Sequence, residues 1–320
     1  MEENLTRPVP DTGRLDLKND YVFKRIFAKP ENNTELKELT EAILDEKIKT
    51  IVVTNPEISK NYKDEKLGVL DIRAYMNDDT IVNIEMQVSN VNTMIDRNIT
   101  YSSRVIGEQL RIGDNYKILK RFISINLLGE NLLRRNAYHS IAHLKFEKAE
   151  PEKYVDMGYE KEQEVLTYKV EYHYIELKKF LKKNPGISSK LEQWLWLIVG
   201  EEDKVEMVSK ENKTIEKVVE DLDEMSADEK ERWEAFNRKL AIWDYNVNIQ
   251  MATEQGKEEG EEIGKKAGLK EGEKVGRKAG IEQGKKEEKE EMAKKLKREG
   301  INIEIIEKVT GLSKEKIESL

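Results

Sequence analysis

Two short stretches, VLDIRAYM (Val69–Met76) and TIVNIEMQV (Thr80–Val88), decide how this chain is read. In the first, Leu70, Ile72, Ala74 and Met76 alternate with Val69, Asp71, Arg73 and Tyr75. In the second, Val82, Ile84, Met86 and Val88 alternate with Ile81, Asn83, Glu85 and Gln87. Period-two runs separated by Asn77, Asp78 and Asp79 predict a β-hairpin. If the apolar faces coincide, opposed residues have numbers with an even sum, and a short loop pairs Met76 with Thr80. Asp71 then stands opposite Glu85. Cross-strand Cβ atoms on one face lie about 4.5–5.5 Å apart, close enough for two carboxylates to hold one hard divalent cation. Metal-dependent phosphodiester cleavage requires such a pair. The competing reading is a solvated open face, with Arg73 pairing either carboxylate in a surface ion bridge of little worth.

Gln87 extends the pattern to D…ExQ, and further blocks surround it in order. They are LDLKNDYVFKRIFA (Leu15–Ala28), the hairpin, DRNITYSSRVIGEQLRIGDNYKILKRFISINLL (Asp96–Leu128) and YHYIELKKF (Tyr172–Phe180). Together they resemble the PD-(D/E)xK transposase-like group, the Rpn family of recombination-promoting nucleases and transposases. The resemblance spans Leu15–Phe180 and recurs at the extreme C-terminus. It implies an α/β fold with a restriction-endonuclease-like core, a mixed sheet with flanking helices. It also implies a metal-dependent DNA endonuclease of recombination or mobile-element biology, using Mg²⁺ or Mn²⁺. On the resemblance, Asp71 and Glu85 are the metal-binding carboxylates and the Met86 carbonyl is a third ligand. Gln87 takes the position usually held by lysine. An amide supplies neither positive charge nor a base, so it orients water or phosphate only, and Lys24 on the first helix is the candidate source of the missing charge. Asp20 matches an acidic position on the family's first helix, with helix capping as the alternative. Arg97 and Tyr101, four residues apart on one helical face, match a family R…Y pattern that contacts phosphate. Their alternative is an exposed stacking pair.

The chain has 320 residues, 38% of them charged. No apolar run approaches the roughly 20 residues of a membrane span. The longest, WLWLIV (Trp194–Val199), reads as buried helix. MEENLTRPVP has no signal-peptide core, so a cytoplasmic protein with no membrane partner is expected. The absence of cysteine excludes disulfides and thiolate zinc sites and fits a reducing compartment. From Glu254 onward there are 17 acidic and 17 basic residues, so the net charge of −8 belongs to residues 1–253. Non-specific coating of DNA needs many phosphate-neutralising cations, and any DNA face must therefore be a local cluster. Candidates are Lys24 with Arg25, Arg97 with Arg104, and Lys117 with Lys120 and Arg121.

The organisation expected is a flexible N-terminus (1–14), a nuclease-like domain (15–180), a helical extension (181–253), a charged Gly-xxx segment (254–290) and a small helical module (291–320). Within the domain, helices are predicted over Asp20–Phe27, Thr34–Leu44 and Thr93–Arg111, the last stopping at Gly113-Asp114. Strands are predicted over Thr50–Asn55, Phe122–Leu128 and Val165–Leu177. A right-handed crossover places Phe122–Leu128 parallel to the Glu85 strand. After Pro185-Gly186, Trp194, Trp196, Trp233, Phe236 and Trp243 fall at helical spacing and read as core. His139 and His143 sit in HSIAH, which lacks the glutamate of the HExxH zinc motif. With His173 they read as structural.

Glycines recur every fourth residue from Gly256 to Gly284. Each costs a helix about 1 kcal/mol relative to alanine, so this tail is either a linker or a helix held by close approach of a second copy. The expected partners are accordingly DNA and, through the C-terminal region, another copy of the chain. The final block reads as a capped helix pair, with Asn302, Gly311 and Ser313 as its punctuation. It suits a capping or partner-binding module better than a DNA reader. The second functional reading is a catalytically weak or inactive nuclease-fold protein that assembles through its tail.

Overall fold

The computed structural model describes residues 6–29, 33–54, 72–77, 79–89, 91–145 and 165–320. Asp71 and Asn55 lie outside them. Helices α1 (Asp20–Phe27) and α2 (Thr34–Leu44) come first, then strands β1 (Ile51–Thr54), β2 (Ile72–Met76) and β3 (Thr80–Gln87). Helix α3 (Met94–Gly107) leads to β4 (Arg121–Leu128), β5 (His139–Lys145) and β6 (Val165–Glu176). The rest is helical: α4 (Leu177–Lys183), α5 (Lys190–Val199), α6 (Glu202–Glu211), α7 (Lys213–Ala227), α8 (Glu229–Arg298), α9 (Ile303–Thr310) and α10 (Lys314–Glu318).

The strands form one mixed sheet in the order β1-β2-β3-β4-β6-β5. Met76 pairs with Thr80 and Ile72 with Ile84, the hairpin register expected from the alternation. Asn77 makes the turn at φ +51°, a conformation asparagine tolerates better than most residues. Its side-chain oxygen accepts from the Lys49 and Thr50 amides at 2.7 and 3.3 Å, tying the turn to the start of β1. β4 runs parallel to β3, with Glu85 in register with Asn126. β6 is parallel to β4, and β5 closes the edge antiparallel to β6.

Parity sorts the two faces. Ile72, Ala74, Met76, Val82, Ile84, Met86, Ile123, Ile125 and Leu127 join one core with α1, α2, α5 and α7. Phe27 is its hinge point, stacked on Phe23 at 4.7 Å and edge-on to Trp194 at 6.0 Å. The Trp196 indole donates to the carbonyls of Pro185 and Gly186 at 3.2 and 3.1 Å. Trp194 and Trp196 are thus core, as their spacing suggested, but Trp233 is 59% exposed. Helix α3 also departs from expectation, ending at Gly107 rather than near Gly113. Gly107 is the poorest helix former in that run, and Gly113 instead takes a left-handed turn at φ +95°.

β5 was not foreseen from sequence: with two histidines and exposed Ile141 and Leu144 it has no clean alternation. Of the basic candidates, Arg25 is paired with Glu231 at 2.6 Å and Arg121 with Glu46 and Glu171 at 3.0 Å each. Lys120 lies over the Tyr75 ring at 5.0 Å.

The chain divides into two compact units, residues 1–243 and 244–320. The second contains the glycine repeat, which lies wholly within α8 and is exposed throughout. Its end is a small cluster of Ala293, Ile306 and Ile317. Asn302 caps α9, Gly311 ends it at φ +69° and Ser313 caps α10.

Because Phe27 is fully buried between two aromatic rings, Phe27→Ala should cost about 3–5 kcal/mol. Urea unfolding monitored by tryptophan fluorescence reads that loss as a lower midpoint at unchanged slope.

Candidate active site

The sheet face opposite the main core carries Asn83, Glu85 and Gln87 on β3, Ser124 and Asn126 on β4, and Tyr172 and Tyr174 on β6. This follows from the register of the three parallel strands. It is not an open face. Helix α3 covers it, presenting Met94, Asn98, Ser102 and Val105 at helical spacing as its buried residues. Apolar contacts close both ends: Val91, Met94 and Leu128 at one, and Ile81, Val105 and Phe122 at the other. The middle is polar. The Asn98 amide donates to the Tyr174 hydroxyl at 3.1 Å, and the Ser102 and Tyr172 hydroxyls lie 2.6 Å apart. Asn126 Nδ2 donates to the His173 carbonyl at 3.0 Å and to Ser124 Oγ at 3.3 Å.

Glu85 lies in this layer and is only 1% exposed, so the solvated-face reading is overturned for it. Asn83 Nδ2 donates to its Oε1 at 3.3 Å, and Arg97 approaches its Oε2 at 3.4 Å. Arg97 also donates to Gln87 Oε1 at 3.1 Å, while Gln87 Nε2 donates to the Ser89 carbonyl. The guanidinium lies over the Tyr101 ring at 5.6 Å. Bonds of 3.3–3.4 Å to a carboxylate are loose, since a charge-assisted pair normally closes to 2.7–2.9 Å. Glu85 is therefore shielded from water, and these two contacts of it are long. Tyr174 feels that charge: burial first, then Tyr172 and Glu85, push its phenol above the usual range, against the opposing Asn98 bond. Gly129 fixes the end of β3. Its amide donates to the Gln87 carbonyl at 2.9 Å, and a Cβ there would meet the Val88 backbone at 2.6 Å.

The fold thus brings Glu85, Gln87, Arg97 and Tyr101 together, with Met86 between the first two on β3. Asp71 lies outside the described residues. Arg73 points its guanidinium at Glu108, 3.4 Å away, rather than at Glu85. The Asp20 carboxylate is held by Arg238, with contacts of 2.5–2.8 Å. The side-chain cap of α1 is Asn19, which accepts from the Tyr21 amide at 3.0 Å, although Asp20 Oδ1 shares that donor. Lys24 is half-buried one turn further along α1.

The family described as PD-(D/E)XK nuclease family transposase matches residues 17–252. The chain belongs to this family. Comparison with curated proteins and with solved structures returns no match. The mixed six-stranded sheet with flanking helices agrees with the restriction-endonuclease-like α/β fold, and membership implies a nuclease or transposase-like function on DNA. No helix among the described residues is long and apolar enough to cross a membrane.

Such nucleases generally use divalent metals. Among the described residues, no three histidine, cysteine or acidic side chains stand close enough to hold one. The donors around Glu85 nevertheless fit a hard cation. They are all oxygen: the Glu85 carboxylate, the Met86 carbonyl, and the side-chain oxygens of Asn83 and Asn126. The last two are buried and, among the described residues, receive no hydrogen bond. Sequence reading missed both amides, along with Asn98, Ser102 and the two tyrosines. The available signal was Ser124 and Asn126 interrupting the apolar run FISINLL at the parity of Glu85.

A second polar cluster occupies the other face. His173 is buried between Glu171, whose Oε1 lies 2.6 Å from its Nε2, and His139, whose Nε2 lies 2.8 Å from its Nδ1. A carboxylate only accepts, so His173 donates to Glu171 from Nε2, and its Nδ1 faces His139 Nε2. Arg121 completes the chain at Glu171 Oε2, 3.0 Å away. Burial opposes ionisation of Glu171, but the bonds from His173 and Arg121 outweigh it and hold its pKa down at about 2. Burial, then the neighbouring His173, lowers His139 to about 4. The structural reading of these histidines therefore acquires a specific consequence.

Folded His139 resists protonation until about pH 4, whereas the unfolded chain takes up that proton near 6.5. Stability is then fully present above 6.5 and falls as the pH drops towards 4, by about 2 kcal/mol at pH 5. Thermal melts between pH 4.5 and 7 should show that decline, and His139→Gln should flatten it.

Proposed function

We propose that this protein is a metal-dependent DNA endonuclease of the recombination-promoting kind, cleaving phosphodiester bonds with Mg²⁺ or Mn²⁺. The observation that carries the reading is Glu85: an acidic side chain 1% exposed beneath α3, on the sheet face that also holds the side-chain oxygens of Asn83 and Asn126. Glu85, the Met86 carbonyl and Asp71 are the ligands in this reading.

When bound, the cation lowers the pKa of water and stabilises charge on phosphate oxygens. The chain's own groups do the rest. Gln87 donates or accepts one hydrogen bond to orient water or phosphate, and it carries no charge. Arg97 supplies the positive charge that lysine gives in nucleases of the D…(D/E)xK pattern. It is 35% exposed on its outer side, so it can turn from Glu85 to a phosphate while Tyr101 keeps its stacking contact. Lys24 adds charge from α1. Asp20, held by Arg238, contributes by fixing α1 rather than by ligation. DNA is the substrate and the cytoplasm the compartment.

The C-terminal unit is assigned to self-association. Eight glycines weaken the helix that carries them, and exposed Ile263, Leu269, Val275 and Ile281 lie among them. A second copy approaching at the glycines offsets the propensity cost through contacts that larger side chains would block. The competing reading, an inactive scaffold that assembles through this tail, is favoured by Gln87: both ends of its amide are already engaged, with Arg97 and Ser89.

Plasmid nicking separates the readings. The parent should nick DNA in Mg²⁺ and stop in EDTA, while Glu85→Gln and Asp71→Asn abolish cleavage with the circular dichroism spectrum preserved. Equal cleavage by parent and variants removes the assignment. For the tail, sedimentation of the full chain should show an oligomer and deletion of residues 254–320 a monomer. An unchanged number of chains per particle would make the tail a tether only.

A further inference from the structure

Asn83 and Asn126 have roles that neither family membership nor the D…ExQ pattern assigns. Both lie on the Glu85 face: Asn83 two residues before it on β3, Asn126 its register partner on β4. Both are essentially inaccessible to solvent, at 1% and 0% exposure. The orientation of each amide follows from its neighbours. Asn83 turns its NH₂ to the Glu85 carboxylate, which can only accept, and Asn126 turns its NH₂ to the His173 carbonyl and Ser124. Each Oδ1, the other branch of its amide, is thereby left as an acceptor. Neither receives a hydrogen bond among the described residues.

A buried acceptor without a donor costs about 1–3 kcal/mol, and two of them share the sheet face of Glu85. Arg97 does not relieve either, since its contacts here go to Glu85, Gln87 and the Tyr101 ring. Acceptors at three points, one of them charged, complement a ligand that is cationic and surrounded by donors. A divalent cation that retains water is such a ligand, because Mg²⁺ dehydrates reluctantly and keeps several waters.

We propose that Asn83 and Asn126 are positioning residues that accept hydrogen bonds from the waters of a divalent cation held at Glu85. This deepens the nuclease reading and rests on it. Asn83 has a second task, keeping Glu85 Oε1 in place through its own NH₂.

Calorimetric titration of the full-length protein with Mg²⁺, without DNA, tests the inference apart from activity. Asn126→Ala and Asn83→Ala should each weaken binding about tenfold, the effect of one lost hydrogen bond to a charged site. Asn126→Asp keeps the acceptor but loses the donor to His173, and should bind Mg²⁺ at least as tightly as the parent. A purely structural Asn126 would behave oppositely, with Asp no better than Ala because both lose that donor. The inference is overturned if Asn126→Asp binds as weakly as Asn126→Ala, or if both alanine variants match the parent. Those outcomes leave the nuclease reading standing. A parent that binds neither Mg²⁺ nor Mn²⁺ overturns both. If Asn126→Ala fails to fold, the comparison of Asn126→Asp and Asn83→Ala with the parent still decides.

Discussion

A carboxylate placed between a sheet and a helix has to be solvated by protein, and much of this domain is arranged around that requirement. Domains are stable by only about 5–15 kcal/mol, so an unsupported ion costing several kcal/mol would remove much of what holds the fold. Glu85 is supported by Asn83 and Arg97, and their presence alters what its neighbours can be. Ser124 and Asn126 take the inward positions of β4, Tyr172 and Tyr174 those of β6, and Asn98 and Ser102 those of α3. Apolar contacts are displaced to the two ends of the helix. The interior on this side is held together by hydrogen bonds in the middle and by packing at the margins.

The opposite face obeys a different rule. There the same strands present an almost unbroken aliphatic surface to α1, α2, α5 and α7. The exception is the run from His139 through His173 and Glu171 to Arg121, at the β6 side of the sheet. It is a chain of hydrogen bonds in which the Glu171 carboxylate accepts from both His173 and Arg121. One sheet therefore carries two polar systems that do not share side chains: one centred on Glu85 beneath α3, the other on Glu171 and His173.

Parity made the hairpin legible in advance. Once Met76 faces Thr80, the side chains that share a face with Glu85 follow from counting, and the parallel placement of β4 follows from the length of the α3 crossover. The same counting does not show what lies above a face. From sequence, Glu85 looked like a residue on an open surface, because nothing in TIVNIEMQV announces that α3 will cover it. Asp20 illustrates the complementary limit. Its partner Arg238 is more than two hundred residues away, and no local pattern joins them. β5 escaped detection for a third reason. An edge strand with one covered face and a bulge near Leu144 loses the alternation by which strands are recognised.

The hydrogen-bonded seam beneath α3 also bears on how this sequence can drift. In an aliphatic interface a lost methyl group is absorbed by small shifts of many neighbours. Here Asn98 answers Tyr174, and Ser102 answers Tyr172 while also bonding the Ile99 carbonyl. Replacing either member alone removes the other's partner across the layer, while replacing both with apolar groups of matched shape is close to neutral. Double-mutant cycles at these pairs measure that coupling directly. Lineages descended from this protein are expected to change such positions in concert, so that substitutions at α3 are read most informatively together with those at β6.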